Sequence, residues 1–162
     1  MPAIARAAGV SEPTAYRYFP DLLSIMRDGF VGVWPNADDL MPDQRACPDP
    51  VERIGIAARV LAENVLQIEG AVRTMIALTI THGDATNARP AHRIPLIESA
   101  LAAVRADDAR LTQLRNDLAV VVSAEALFIL LDLKSLSREA AIESMSHTAR
   151  SLVKEALREI ST

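Results

Sequence analysis

The chain has 162 residues, half of them hydrophobic and 23% charged, which excludes a disordered chain and leaves room for one well-cored domain or a small head with a larger body. Its net charge of −4 and pI near 5.4 exclude a protein whose whole surface coats DNA or anionic membrane. A small DNA-reading face is still allowed, because only charges within a Debye length of ~8–10 Å act on the phosphates.

With aromatics at 4%, the core must be built from Ala, Leu, Val, Ile and Met, which favours closely packed helices. The lone cysteine, Cys47, permits no intrachain disulfide and fits a reducing cytoplasm. The opening "MPAIARAAGV" lacks the basic-then-apolar order of a signal peptide. The longest apolar run, "LAVVVSAEALFILL" (118–131), is interrupted by Ser123 and Glu125 and is shorter than the roughly 18–20 residues a membrane span needs. The expectation is an all-α, cytoplasmic protein without a membrane partner.

In chain order, "PAIARAA" (2–8) predicts a short helix stopped at Gly9, a natural left-handed position. Ser11 caps a second helix that ends near Phe19, with Glu12 and Pro13 in its first turn. Pro20-Asp21 opens a third, over 21–34. The segment "PNADDLMPDQRACPDP" (35–50) reads as a linker. It separates a head, 1–34, from a body, 49–162.

In the body, Asp49 and Glu52 have capping-box spacing, and Val51, Ile54, Ala58, Leu61, Val65 and Ile68 form the strongest amphipathic stripe. Further helices are expected over 70–82 and 94–105, the latter with Ile94, Ile97, Leu101 and Val104 in line. Two long helices follow. The first, 111–133, is apolar on nearly every side from Leu118 to Leu133 and must therefore be covered all round. The second, 137–159, starts at a Ser137 cap. Its expected inner face is Ala141, Met145, Ala149, Leu152, Ala156 and Ile160.

Functional readings centre on residues 4–19, "IARAAGVSEPTAYRYF". Two short helices meet at a tight turn. Small Ala5 sits at their crossing, Val10 plugs the gap, and Ala15 and Tyr18 face back. This is helix-turn-helix logic, in which the first helix braces a second that enters the major groove. The second helix exposes Glu12, Pro13, Thr14, Tyr16 and Arg17. Thr14 can bond a base or phosphate, Arg17 a phosphate or a guanine edge, and Tyr16 a phosphate.

The string "IARAAGVSEPTAYRYFPD" resembles the second and third helices of the TetR family of bacterial transcriptional regulators, closely over residues 3–26. "AEALFILLDLKSLSREAA" (124–141) resembles the junction between the family's last two helices. The resemblance implies a three-helix head, an all-helical body that binds a small effector, and a two-fold dimer through the last two helices, here 111–133 and 137–159. It implies a palindromic double-stranded DNA operator, and it puts Glu12, Pro13, Thr14, Tyr16 and Tyr18 at DNA-contact positions. Arg17 joins them on its own expected exposure.

The sequence departs from the family in three places. The first head helix is absent, so the head is expected to be shortened. Leu22 stands where Lys is frequent. Ala15 is smaller than the usual branched aliphatic.

A sensor body needs a mostly apolar pocket with a few polar groups. Trp34, Asn64, Met75, Thr79 and His82 are the candidate effector contacts, each also readable as a packing or backbone-bonded residue. Catalysis is not expected. There is no Gly-rich phosphate loop, and three scattered histidines with one cysteine show no metal-ligand spacing, although His82 and His92 flank a polar loop with Asp84. Glu125 and Asp132 are expected at the dimer face or its rim. No cofactor is implied.

Overall fold

A computed structural model describes residues 1–30, 34–81 and 91–160. Every regular element among them is helical: α1 (Pro2–Ala7), α2 (Glu12–Tyr18), α3 (Leu22–Phe30), α4 (Ala37–Leu40), α5 (Pro50–Gln67), α6 (Glu69–Thr81), α7 (Arg93–Leu101), α8 (Asp108–Val121), α9 (Ala124–Phe128), a π-helical turn (Ile129–Leu133) and α10 (Arg138–Ile160). None of them is long and apolar enough to cross a membrane. The fold is all-α.

Local chemistry sets most helix starts. Asp49 accepts from the Val51 amide at 2.9 Å, with Pro50 in the first turn of α5. Ser137 accepts from the Ala140 amide at 3.2 Å ahead of α10. Asp21 and Ser24 bond each other's amides at the start of α3, at 2.7 and 3.4 Å.

The contacts divide the chain into two units. One holds Met1–Trp34 and α6. The other holds Pro35–Ile68 with α7 to α10. Thus α6, which the sequence reading placed in the body, packs with α3 in the same unit as the head segment.

The larger unit is centred on α5 against α10, with α7, α8 and α9 around them. Ile54, Ala57, Ala58, Leu61, Ala62 and Val65 of α5 are buried, as are Ala141, Ile142, Met145, Ala149 and Val153 of α10. Alanines on both stripes allow close approach. Gly55 allows closer approach still: a Cβ there would overlap the Arg150 guanidinium. The rim of this packing is charged. Arg59 meets Glu143 at 3.0 Å, and Arg150 meets Glu52 at 3.4 Å and Glu143 at 3.8 Å. Glu52 therefore serves the partner helix.

Three sequence expectations are corrected. The single helix over 111–133 is broken. Val122 and Ser123 leave helical geometry, and the Ser123 Oγ accepts from the Ala126 amide at 3.0 Å and donates to the Val120 carbonyl at 2.8 Å. Three successive valines, poor helix formers, lead into a serine that caps a new helix. The apolar residues are thereby sorted: Leu118, Val122, Leu127 and Phe128 are buried, while Val120, Ile129 and Leu133 are 73%, 53% and 77% exposed.

In α10, Ala141, Met145 and Ala149 face inward as expected, and Ile142, Ser146 and Val153 join them. Leu152, Ala156 and Ile160 instead line an open groove of about 230 Å³ beside Leu111 and Leu114 of α8. In α7, the helix stops at Leu101; Ile97, Leu101 and the following Val104 are buried as expected, but Ile94 in the first turn is 43% exposed and Leu96 and Ala100 join the core instead.

Candidate nucleic-acid interface

The turn between α1 and α2 is built by glycine. Gly9 has φ +68°, the Val10 amide bonds the Ala5 carbonyl at 3.0 Å, and the Gly9 amide bonds the Arg6 carbonyl at 3.2 Å. This is the Schellman pattern, which a residue with a Cβ would strain. Ser11 then adopts extended backbone and caps α2, accepting from the Thr14 amide at 3.3 Å. Glu12 and Pro13 fill the first turn, where the missing proline N–H costs nothing and the carboxylate faces the positive end of the helix.

Ala5 and Ala15 are the buried residues of this pair of helices. With no larger side chain between them, α1 and α2 meet closely. Val10, expected to plug the gap, is instead 43% exposed, and Tyr18, expected to face back, is 67% exposed. The buried positions of the pair are the small ones, Ala5 and Ala15, and neither larger side chain joins them. Phe19 ends the helix in extended conformation, its amide on the Ala15 carbonyl at 2.9 Å.

The candidate DNA contacts therefore share one short helix. Glu12, Pro13, Tyr16, Arg17 and Tyr18 are exposed. Thr14 is half-buried, and its hydroxyl lies 2.7 Å from that of Ser11. The Arg17 guanidinium stacks over the Tyr18 ring, 5.1 Å from its centroid, with Nη2 donating to the Tyr18 hydroxyl at 3.4 Å. Among the described side chains of residues 1–30, exposed Arg6 and Arg17 stand against exposed Glu12, Asp21 and Asp28.

The described candidate effector contacts are divided between the two units. Met75 and Thr79 are buried one turn apart on α6, with the Thr79 hydroxyl donating to the Ile76 carbonyl at 2.9 Å. Trp34 is half-buried in the same unit. Asn64 belongs to the other unit, and its Nδ2 donates to the Val60 carbonyl at 2.8 Å. His82 lies outside the described residues, as does Asp84.

Glu125, expected at the dimer face or its rim, meets Arg93 at 3.5 Å. The same Arg93 donates to the Ala119 carbonyl at 3.2 Å, so it ties α7 to the end of α8 just before the break. Asp132 is exposed on the π-helical turn.

Two residues to which the sequence alone assigns no structural role matter in the packing. Arg53 is 3% exposed on α5. It donates to the carbonyls of Pro42 at 2.7 Å, Cys47 at 3.4 Å and Ser99 at 3.0 and 3.2 Å, and to the Ser99 hydroxyl at 3.0 Å. Its signal was a lone charge one position from Ile54 in the apolar stripe. The second is His92, whose pKa burial lowers from its ordinary value of 6.5.

No protein family matches this chain, and neither a curated protein nor a solved structure matches it.

Proposed function

We propose that the chain is a ligand-responsive, DNA-binding transcriptional regulator of TetR type, a cytoplasmic repressor that a small, mostly apolar molecule releases from a palindromic operator. The observation that carries this reading is the α1–Gly9–α2 turn, from which α2 turns Glu12, Pro13, Tyr16, Arg17 and Tyr18 to solvent on an alanine-braced base. In a helix-turn-helix the N-terminal residues of the second helix meet base edges and the others meet the backbone. Glu12 and Pro13 suit the first role: a carboxylate accepts from cytosine N4, and an apolar ring packs on a thymine methyl. Tyr16, Arg17 and Tyr18 suit the second.

A homodimer completes the reading. Val120 near the end of α8 and Ile129 and Leu133 of the π-helical turn offer exposed apolar side chains, which a second copy would cover. Two recognition helices must then sit about 34 Å apart to enter successive major grooves. An effector that changes the spacing lowers DNA affinity, and by linkage DNA lowers effector affinity by the same factor. Met75, Thr79 and Trp34 remain the candidate effector contacts in the unit that holds α2, with Asn64 in the other. The reading involves no catalysis.

A second reading keeps the dimer and the effector without competent DNA binding. The acidic side chains around α2, Glu12, Asp21 and Asp28, favour it, because each opposes phosphate. Fluorescence anisotropy on the DNA upstream of the chain's own coding sequence, over a series of salt concentrations, separates the two. Sequence-selective, salt-sensitive binding supports the regulator. A dimer by sedimentation that discriminates no duplex from a scrambled one supports the second reading.

A further inference from the structure

The Arg17–Tyr18 pair assigns roles that the sequence left open. Arg17 is an exposed residue on the last turn of α2, where an arginine would ordinarily sample many rotamers. Here its guanidinium lies 5.1 Å from the Tyr18 ring centroid, and its Nη2 reaches the Tyr18 hydroxyl at 3.4 Å. Tyr18 is itself largely exposed, so the stack forms on the surface of α2 and is not a by-product of core packing.

Resting on the DNA-binding reading, we propose that Tyr18 is a positioning residue that holds Arg17 as a phosphate clamp. The pair thus contributes affinity without sequence selection. Two features separate this from a base-reading arginine. Arg17 lies at the C-terminal end of α2, whereas base edges are met by the N-terminal residues of a recognition helix. Its guanidinium is also drawn along the ring of its immediate neighbour, which leaves the outer N–H groups to a phosphate oxygen. The ring, more than the hydroxyl, does the holding: 3.4 Å is a long hydrogen bond, while 5.1 Å is within the range of a cation over an aromatic face.

Two measurements on the full chain test this. The first needs no DNA. In NMR spectra of the free protein, the Arg17 side-chain protons are expected to show a ring-current shift that Y18F retains and Y18A abolishes. Arg17 protons at random-coil positions in the wild type would overturn the stack.

The second is binding to the upstream duplex and to a set of single-base variants of it. R17A is expected to weaken binding to all of them alike and to reduce the salt slope by about one counterion per recognition helix. Y18A is expected to cost about two- to fivefold per recognition helix, as for an exposed cation–π contact, and Y18F much less. If R17A relaxes selection at one base pair only, Arg17 reads a base and the clamp is wrong. If Y18A binds as the wild type does while R17A is weakened, Tyr18 does not position Arg17. A wild type that binds no duplex overturns the regulator reading and the clamp with it. Failure of the clamp alone leaves wild-type binding intact.

Discussion

Replacing Arg53 with methionine is the most informative perturbation of the body. The side chain keeps its length and the apolar packing of its stem but loses every donor. The loss strands the carbonyls of Pro42, Cys47 and Ser99, together with the Ser99 hydroxyl, around a site that is 3% exposed. An unsatisfied buried acceptor costs about 1–3 kcal/mol. The two shortest contacts, to Pro42 at 2.7 Å and Ser99 at 3.0 Å, carry most of that penalty. Cys47, at 3.4 Å, adds little.

Some of this is offset, because burying the uncompensated guanidinium was itself costly and methionine is not. A net loss of about 3 kcal/mol is expected, a large share of the ~5–15 kcal/mol typical of a whole domain. R53K should fall between, because one ammonium has no planar fork to reach α7 and the 42–47 segment together. The assay is urea unfolding followed by circular dichroism at fixed protein concentration, so that association does not shift the midpoint. Hydrogen exchange should show the amides of Ala46 and Cys47, both bonded to the Asp43 carbonyl, losing protection first. An R53M midpoint within about 0.5 kcal/mol of wild type, at unchanged denaturant slope, would refute the claim that this arginine ties the linker to α5 and α7.

Three further outcomes follow from the same packing. Gly55→Ala should change stability by no more than about 1 kcal/mol, because its Cβ meets only the movable guanidinium end of Arg150, which swings away from Glu52 and Glu143 while alanine's better helix propensity offsets the lost ion pairs; in an Arg150→Ala background the same substitution should stabilise, a non-additivity visible in a double-mutant cycle. Burial lowers the His92 pKa, so the unfolded chain binds the extra proton first as pH falls; stability should drop on acidification through 6.5 and level off below the folded-state pKa, and His92→Gln should remove that component from a pH series of melting temperatures. Leu133→Asp, at a position 77% exposed in the single chain, should leave circular dichroism unchanged and shift sedimentation from dimer to monomer, and a wild type that is monomeric at micromolar concentration would sink the dimer.

Features that depend on a few neighbouring residues were legible in the amino-acid sequence. Composition specified helices, Gly9 specified the left-handed turn, and Ser11, Asp49 and Ser137 specified where helices begin, because each acts on amides two or three residues away. The inward stripe of α5 and the first half of that of α10 were legible for a related reason: a period of 3.6 needs only one buried side to show itself.

The remaining features emerge only from packing, because they depend on residues far apart in the chain. The break at Ser123 lay hidden because an apolar run satisfies helix and break alike, and Leu118 and Val120 part ways only when one side meets the core. Arg53 is stable inside because carbonyls 6, 11 and 46 residues away converge on it. Tyr18 turns outward at 67% exposure, while Ala5 and Ala15 are the residues that α1 and α2 bury. Periodicity reports which side of a helix is apolar. It carries no information about which residues the neighbouring helix brings opposite, and in this pair small Ala5 and Ala15 are buried while the arginine–tyrosine stack stays on the surface of α2.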